Sequence, residues 1–174
     1  MRFSPGLLLL LPLLSPLAHA ELIDDVNDRG ELRIALEANT PPYNFKEGDK
    51  LAGFEVELGE LLAKEMEVRS SFITTDNADL LSGVETGKYD VAINHMAMTA
   101  ELEDRFDFSE PYHQKPALAI PFQKGNPAFK TSLDGALKRV KDDGRLKALS
   151  HKWFEDEAPT GAPTPVPPQA TPAH

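Results

Sequence analysis

Several side chains in this sequence have types and spacing suited to chemistry. His95-Met96-Ala97-Met98 sets an imidazole beside thioethers, ligands that suit copper(I) in an exported protein. In a strand, however, alternate residues face opposite sides, so Met96 and Met98 would share one face while His95 pointed away. Methionine filling a gap in a core is the commoner arrangement, and no metal site is expected. Glu37, Asp76 and Asp79 fall near the ends of expected strands, where open α/β sheets place ligands. Paired carboxylates there could exchange protons with a substrate, but in so acidic a chain a solvated acidic rim is the plainer reading. His113, between Tyr112 and Gln114, has no partner at catalytic spacing and reads as a surface histidine. No catalytic residue and no cofactor is expected, so the chain does not read as an enzyme.

Composition narrows the remaining classes. The 174 residues include no cysteine, which removes disulfides, thiolate metal sites and a cysteine nucleophile. Stability must then come from a packed core. The formal net charge of −10 disfavours nucleic acid and anionic membrane as partners. Residues 1–20 have the form of a secretory signal peptide. Arg2 gives a basic start, Leu7 to Leu14 is an apolar run broken by Pro12, and Ala18-His19-Ala20 is a small-x-small cleavage site. That run is too short to span a bilayer, and no later segment is apolar enough for membrane insertion. A periplasmic location is expected. The stretch 155–174 alternates Pro159, Pro163, Pro165, Pro167, Pro168 and Pro172 with Ala and Thr. Such a composition buries too little apolar surface to offset its ordering entropy, and it reads as a disordered tail. Residues 21–154 remain as one folded domain, too short for two ordinary ones.

The periodicity within that domain alternates helices and strands. Leu22 and Val26 share a helical face, with Gly30 as the stop. Leu32 to Leu36 is an expected strand, and Thr40-Pro41-Pro42-Tyr43 an expected loop. Phe54, Leu58, Leu61, Leu62 and Met66 recur at helical spacing, which leaves Glu55, Glu57, Glu60 and Lys64 on the outer face. Further strands are expected at Ser71–Thr74, Tyr89–Asn94 and Ala117–Phe122. Leu80, Leu81 and Val84 make a short helix. Leu133, Ala136, Leu137 and Val140 make another, broken by Asp142-Asp143-Gly144 before Leu146, Leu149 and Trp153. This alternation implies an α/β fold: a single three-layer domain with a mainly parallel sheet covered by helices.

Tyr89-Asp90-Val91-Ala92-Ile93, Met98-Thr99-Ala100-Glu101 and Asp107-Phe108-Ser109-Glu110-Pro111-Tyr112 occur in that order. The string resembles the first lobe of a periplasmic solute-binding protein of family 3, the polar-amino-acid binders. Leu32-Arg33-Ile34-Ala35 with Pro41-Pro42-Tyr43 resembles that family's opening strand and loop. Gly53-Phe54-Glu55-Val56-Glu57-Leu58 resembles its first long helix, and Lys124-Gly125-Asn126-Pro127 with Lys152-Trp153-Phe154 its closing segment. The resemblance covers Leu22 to Phe154 and implies one lobe of a type II periplasmic binding protein. In that family a second lobe is inserted between two hinge strands. Here the chain runs from Tyr112 almost directly to Ala117-Leu118-Ala119-Ile120, so the second lobe is missing and one strand stands where two crossed.

The resemblance implies a ligand site at Glu37, Thr40, Tyr43, Asn77, Asn94, His95 and Thr99. It also implies that the site is altered. Leu102 occupies the position of the arginine that grips a ligand carboxylate, a task suited to a bidentate guanidinium. Arg105 aligns with a position turned away from the ligand. Thr40 and Asn77 stand in place of stacking aromatics, and Asn94, His95 and Ala97 in place of small hydroxyl residues. Dehydratases among the family's relatives need both lobes to exclude water. The implied function is binding of a small polar solute, linked to amino-acid transport. The alternative is a protein-interaction module in which the exposed cleft face, with Thr40, Tyr43, Asn77, His95, Met96 and Met98, meets a periplasmic protein partner or a second copy as a homodimer. Removal of Glu155–His174 is expected to leave the thermal midpoint nearly unchanged, since that stretch has no periodic apolar face. A drop of many degrees in a thermal melt would show instead that it packs.

Overall fold

The central strands are buried mostly on both faces, with a helix layer on each side of them. In a computed structural model, residues 21–155 are described. The expected signal peptide and the proline-rich stretch beyond Glu155 lie outside the described residues. In chain order the elements are α1 (Leu22–Arg29), β1 (Glu31–Leu36), β2 (Asn39–Thr40), β3 (Asn44–Glu47), β4 (Lys50–Ala52) and α2 (Phe54–Glu65). There follow β5 (Arg69–Thr74), α3 (Asn77–Glu85), β6 (Val91–Ala92), α4 (Ala100–Arg105), β7 (Phe106–Phe108) and β8 (His113–Gln114). The last are β9 (Ala117–Leu118), β10 (Pro121–Gln123), α5 (Pro127–Asp142), α6 (Arg145–Ser150) and a π-helical turn, His151–Glu155.

The main sheet has the order β5-β1-β6-β10-β7. β1 is parallel to β5 from Glu31↔Arg69 to Leu36↔Thr74, and parallel to β6 at Ile34↔Val91. β10 runs antiparallel to both β6 and β7, so it alone opposes the common direction. Side chains alternate between the faces as the strand period demands. Ile34 and Val91 join Phe54, Leu58, Phe129, Leu133 and Leu137 in one core cluster, under α1, α2, α5 and α6. Ala35 and Ala92 join Leu80, Val84, Phe106 and Phe108 in the other, under α3 and α4. The expected three-layer, mainly parallel α/β arrangement is the one found. Buried Asp90 ties the layers at the entry to β6. It accepts from Arg29 Nη2 at 2.6 Å, from the Arg33 amide at 2.8 Å and from Arg33 Nη2 at 2.8 Å.

Several expected elements are corrected. The strand expected over Tyr89–Asn94 is confined to Val91–Ala92. The Ile93 amide still donates to the Ala35 carbonyl at 3.1 Å, but His95 turns to a left-handed φ of 42° and the chain leaves the sheet. The single strand expected over Ala117–Phe122 is two strands in different sheets. Between them the Ile120 amide donates to the Ser109 hydroxyl at 3.0 Å instead of to a neighbouring strand. β8 and β9 pair antiparallel, His113↔Leu118 and Gln114↔Ala117, across a Lys115–Pro116 turn. Thr40, expected in a loop, ends β2, which joins β3 and β4 in a small meander. Glu55, expected on the outer face of α2, is fully buried.

The loop between β2 and β3 of that meander is anchored on the start of α2. The amides of Phe54 and Glu55 donate to the carbonyls of Pro42 and Tyr43 at 2.9 and 2.8 Å, which satisfies donors that a helix N-terminus leaves free. Gly53 makes this possible. Its φ is 123°, and a Cβ there would sit 2.3 Å from the Tyr43 carbonyl oxygen. Gly53→Ala is expected to destabilise the fold by more than about 2 kcal/mol, through the forbidden φ and the clash together. Chemical denaturation checks this; an unchanged midpoint would mean that the loop yields freely.

Candidate functional site

The carboxyl ends of β1 and β6 lead directly into Glu37 and Asn94. In open α/β sheets this end of the strands is where ligands sit. The Asn94 side chain joins the strands. Its Oδ1 accepts from the Glu37 amide at 3.1 Å and from Asn44 Nδ2 at 3.2 Å, and its Nδ2 donates to Glu37 Oε2 at 2.9 Å. Asn44 Oδ1 in turn accepts from the Ala38 amide at 2.8 Å. Asn94 and Asn44 are buried, while Glu37 is half-buried.

Beneath this layer lies the Glu55 carboxylate, 0 % exposed. It accepts from Asn44 Nδ2 at 2.5 Å, from the Tyr112 hydroxyl at 2.6 Å and from the backbone amide of His95. The His95 ring places Nδ1 3.5 Å from Glu55 Oε2. Removing a carboxylate from water costs several kcal/mol. Charge-assisted hydrogen bonds and the positive end of α2, where Glu55 occupies the first turn, offset that cost. The bond from the His95 amide also explains why a non-glycine residue holds a left-handed backbone there.

The buried charge sets the protonation of its neighbours. Burial pushes the Tyr112 phenol well above its usual range, and the charge of Glu55 and the hydrogen bond to it act the same way. Tyr112 therefore stays a donor. Burial and Glu55 also raise the Tyr43 phenol. The hydrogen bond to Glu55 raises His95, partial burial opposes this, and the charges of Glu55 and Glu37 add to the rise. The His95 ring lies 5.2 Å from that of Tyr43, and Tyr43 lies 5.2 Å from Phe154. Phe154 also meets Phe54 at 5.0 Å and His113 at 6.1 Å. The last described turn of the chain thus packs its ring against the site's aromatic side.

Of the residues expected at a ligand site, Glu37, Tyr43, Asn94 and His95 come together in this network. Thr40 donates its hydroxyl to Asn39 Oδ1 at 2.8 Å, away from it. Asn77 is exposed at the first position of α3. Thr99 caps α4 by accepting from the Leu102 amide at 3.3 Å. Leu102 packs against the second core cluster, and Arg105 is bound to Glu85 at 2.7 Å. The copper(I) geometry assumed a strand through His95, and none is there; Met96 packs on the second core cluster while Met98 is exposed. Asp76 caps α3 by accepting from the Asp79 amide at 2.9 Å, and Glu37 is committed to Asn94. His113 is half-buried in β8, and the Pro116 carbonyl oxygen lies 3.0 Å from its Nδ1.

Glu55, Asn44 and Tyr112 were absent from the expected set. The sequence did hold a signal for Glu55. Positions 55, 58 and 62 follow the i, i+3, i+7 spacing of one helical face, and Leu58 and Leu62 are core residues. An acidic residue on the apolar face at the first turn marks a buried, hydrogen-bonded carboxylate.

Comparison with known proteins places these features. Residues 32–156 match the family model described as bacterial extracellular solute-binding proteins, family 3. The L-cystine-binding protein TcyJ of Escherichia coli (strain K12) is 36% identical over 121 residues, 68% of this chain and 45% of that protein. The L-arginine-binding protein of Pseudomonas aeruginosa is 33% identical over 87 residues, 49% of this chain and 34% of that protein. The chain thus spans less than half the length of these relatives. Among solved structures, the ancestral amino acid-binding protein AncCDT-1, a precursor of cyclohexadienyl dehydratase, superposes with a TM-score of 0.73 at 20% identity, over 78% of this chain and 100% of that one. That likeness concerns the fold. The arginine-bound form of domain 1 from TmArgBP superposes with a TM-score of 0.63 at 26% identity, over 67% of this chain and 98% of that one.

The raised pKa of His95 has a sign in stability. It favours the folded state fully below the ordinary histidine value near about pH 6.5, and that contribution is lost as pH rises through the folded value. Glu55→Gln is expected to return the His95 pKa toward about 6.5 and to destabilise the fold by about 2–4 kcal/mol through lost charge-assisted bonds. NMR titration of the ring and chemical denaturation check both. An unmoved His95 titration would show that Glu55 does not set its charge.

Proposed function

The chain belongs to family 3 of the bacterial extracellular solute-binding proteins, and on that premise we propose that it is a periplasmic, single-lobe binding module for a small polar solute. The solute sits at the carboxyl ends of β1 and β6, against Glu37, Tyr43, Asn94 and His95. The observation that carries this reading is the hydrogen-bonded layer at the strand ends. Polar side chains are held there before any ligand arrives, and such preorganisation lowers the cost of binding. The relative matched over nearly its whole length as one domain, in an arginine-bound form, supports the idea that a lobe of this kind holds a ligand by itself. The reading is one of binding without turnover, with a link to amino-acid transport.

A protein-interaction role for the same face draws less support. Among the described residues Met98 is the large hydrophobic side chain that stands exposed, at 39%. Tyr43, expected to be open, is half-buried against His95 and Phe154. A contiguous apolar patch of the kind that marks an interface is not what these residues form.

Affinity for ordinary amino acids is expected to be weak, no tighter than about millimolar. Leu102 offers no charge to a ligand carboxylate, and among the described residues no opposing lobe closes the site. The test is a thermal-shift screen of the chain from Glu21 with amino acids, organic acids and polyamines, followed by calorimetry. A solute present at about 100 times its Kd should stabilise by about 2.7 kcal/mol. Absence of any shift across these classes would contradict the proposal, and a micromolar constant for an ordinary amino acid would contradict the expected weakness.

A further inference from the structure

The main sheet ends on β7 at one side and on β5 at the other, and the two edges are finished differently. An edge strand offers unpaired amides and carbonyls to any other strand, so folds blunt it with short length, lysine, proline or a bulge. β7 has three residues, and Lys130 Nζ takes up its outward Phe108 carbonyl at 2.9 Å. β5 has six, Arg69–Thr74, in unbroken register with β1, and holds no lysine, proline or bulge. The amides of Arg69 and Thr75 donate to the Gly30 and Leu36 carbonyls at 3.0 Å, toward β1. Backbone direction alternates along a strand, so the N–H and C=O groups of Ser70, Phe72 and Thr74 point the other way, where no strand lies among the described residues. Phe72 and Ile73, on opposite faces of that edge, are half-buried against the α2-side and α3-side core clusters.

We propose that the outer edge of β5 is a homodimer interface, where a second copy of this chain adds its own β5 antiparallel and joins two sheets into one. This goes beyond the solute-binding role and does not depend on it. The occupant follows from the strand's own symmetry. A two-fold axis at Phe72 gives the register that uses all the outward residues. Phe72 then meets Phe72, and Ser70 meets the second copy's Thr74, each pair exchanging both N–H···O=C bonds. The Phe72 rings lie side by side as a cross-strand aromatic pair, which covers the part of each that the lone edge leaves exposed. The charges at the strand ends select the same orientation. Arg69, at the start, has a side chain 78% exposed and reaches Glu31 only at 3.7 Å. Asp76 and Asp79, just beyond the other end, are exposed acids. The antiparallel pairing sets each Arg69 opposite the second copy's Thr75, beside that copy's Asp76, at both ends of the interface. A parallel pairing would set arginine near arginine and acid near acid, which is unfavourable.

Sedimentation velocity on the chain from Glu21, between about 1 µM and 1 mM, is expected to show a monomer–dimer equilibrium. Amide hydrogen exchange over the same range reads the interface residue by residue. The Ser70, Phe72 and Thr74 amides are expected to slow as concentration rises, while those of Ser71 and Ile73, which face β1, stay protected throughout. Ser70→Pro removes an outward donor from each copy and leaves the β1 side intact. It is expected to weaken the dimer by at least about tenfold. The wild-type exchange pattern remains decisive even if that variant folds poorly. A monomer throughout the range, a dimer whose Ser70, Phe72 and Thr74 amides exchange freely, or a dimer equally tight in a well-folded Ser70→Pro overturns the assignment and leaves solute binding standing.

Discussion

A carboxylate removed from solvent must be surrounded by donors, and the Glu55 carboxylate gathers its donors from separate parts of the chain. Asn44 comes from the meander, His95 from the end of β6 and Tyr112 from the segment leading into β8. None of these is a neighbour of Glu55 in sequence. An unpaired buried charge is among the most destabilising features a fold can contain, so each of the three segments is held to one position. The left-handed turn at His95, the depth of Asn44 and the packing of Tyr112 beside Phe54 follow from the same constraint. The strand-end surface is thus an outcome of core electrostatics more than of strand pairing, which at β6 extends over Val91–Ala92 only.

The same segment shows how a lobe can close on itself. Tyr112 immediately precedes β8, and its amide donates to the Leu118 carbonyl at 2.9 Å. The chain then turns at Lys115–Pro116 and returns through β9 to the Ala119 amide, which donates to Met96 at 3.0 Å. The hairpin stubs stay short because their inner ends are already fastened, through Tyr112 to Glu55 and through Ala119 to the stretch after β6. Both core clusters are drawn from the described residues of this one domain. The chain spans less than half the length of the curated relatives it matches.

Much of the fold was legible because burial follows period. Leu22 and Val26, the α2 stripe, and Leu133 to Val140 repeat at helical spacing, and the β1 run reads as a buried strand. What failed was governed by single polar contacts that periodicity does not encode. The Tyr89–Asn94 strand stops early because Asn94 and His95 are drawn to Glu37, Asn44 and Glu55. The Ala117–Phe122 strand divides where the Ile120 amide turns to a serine hydroxyl. At the site, resemblance pointed to Glu37, Tyr43, Asn94 and His95, but Glu55 was set outside because its type outweighed its helical position. A buried charge has to be inferred from its partners, and those lie 11, 40 and 57 residues away.

The central claim is that Glu55 couples distant segments through its charge, and a double-mutant cycle measures this most directly. Stabilities of the wild type, Glu55→Gln, Tyr112→Phe and the double variant would be compared at pH 7 by chemical denaturation. The account requires the second change to cost much less once the first is made, with a coupling of at least about 1 kcal/mol. Additive losses would contradict it, since the Tyr112 hydroxyl would then contribute nothing through Glu55.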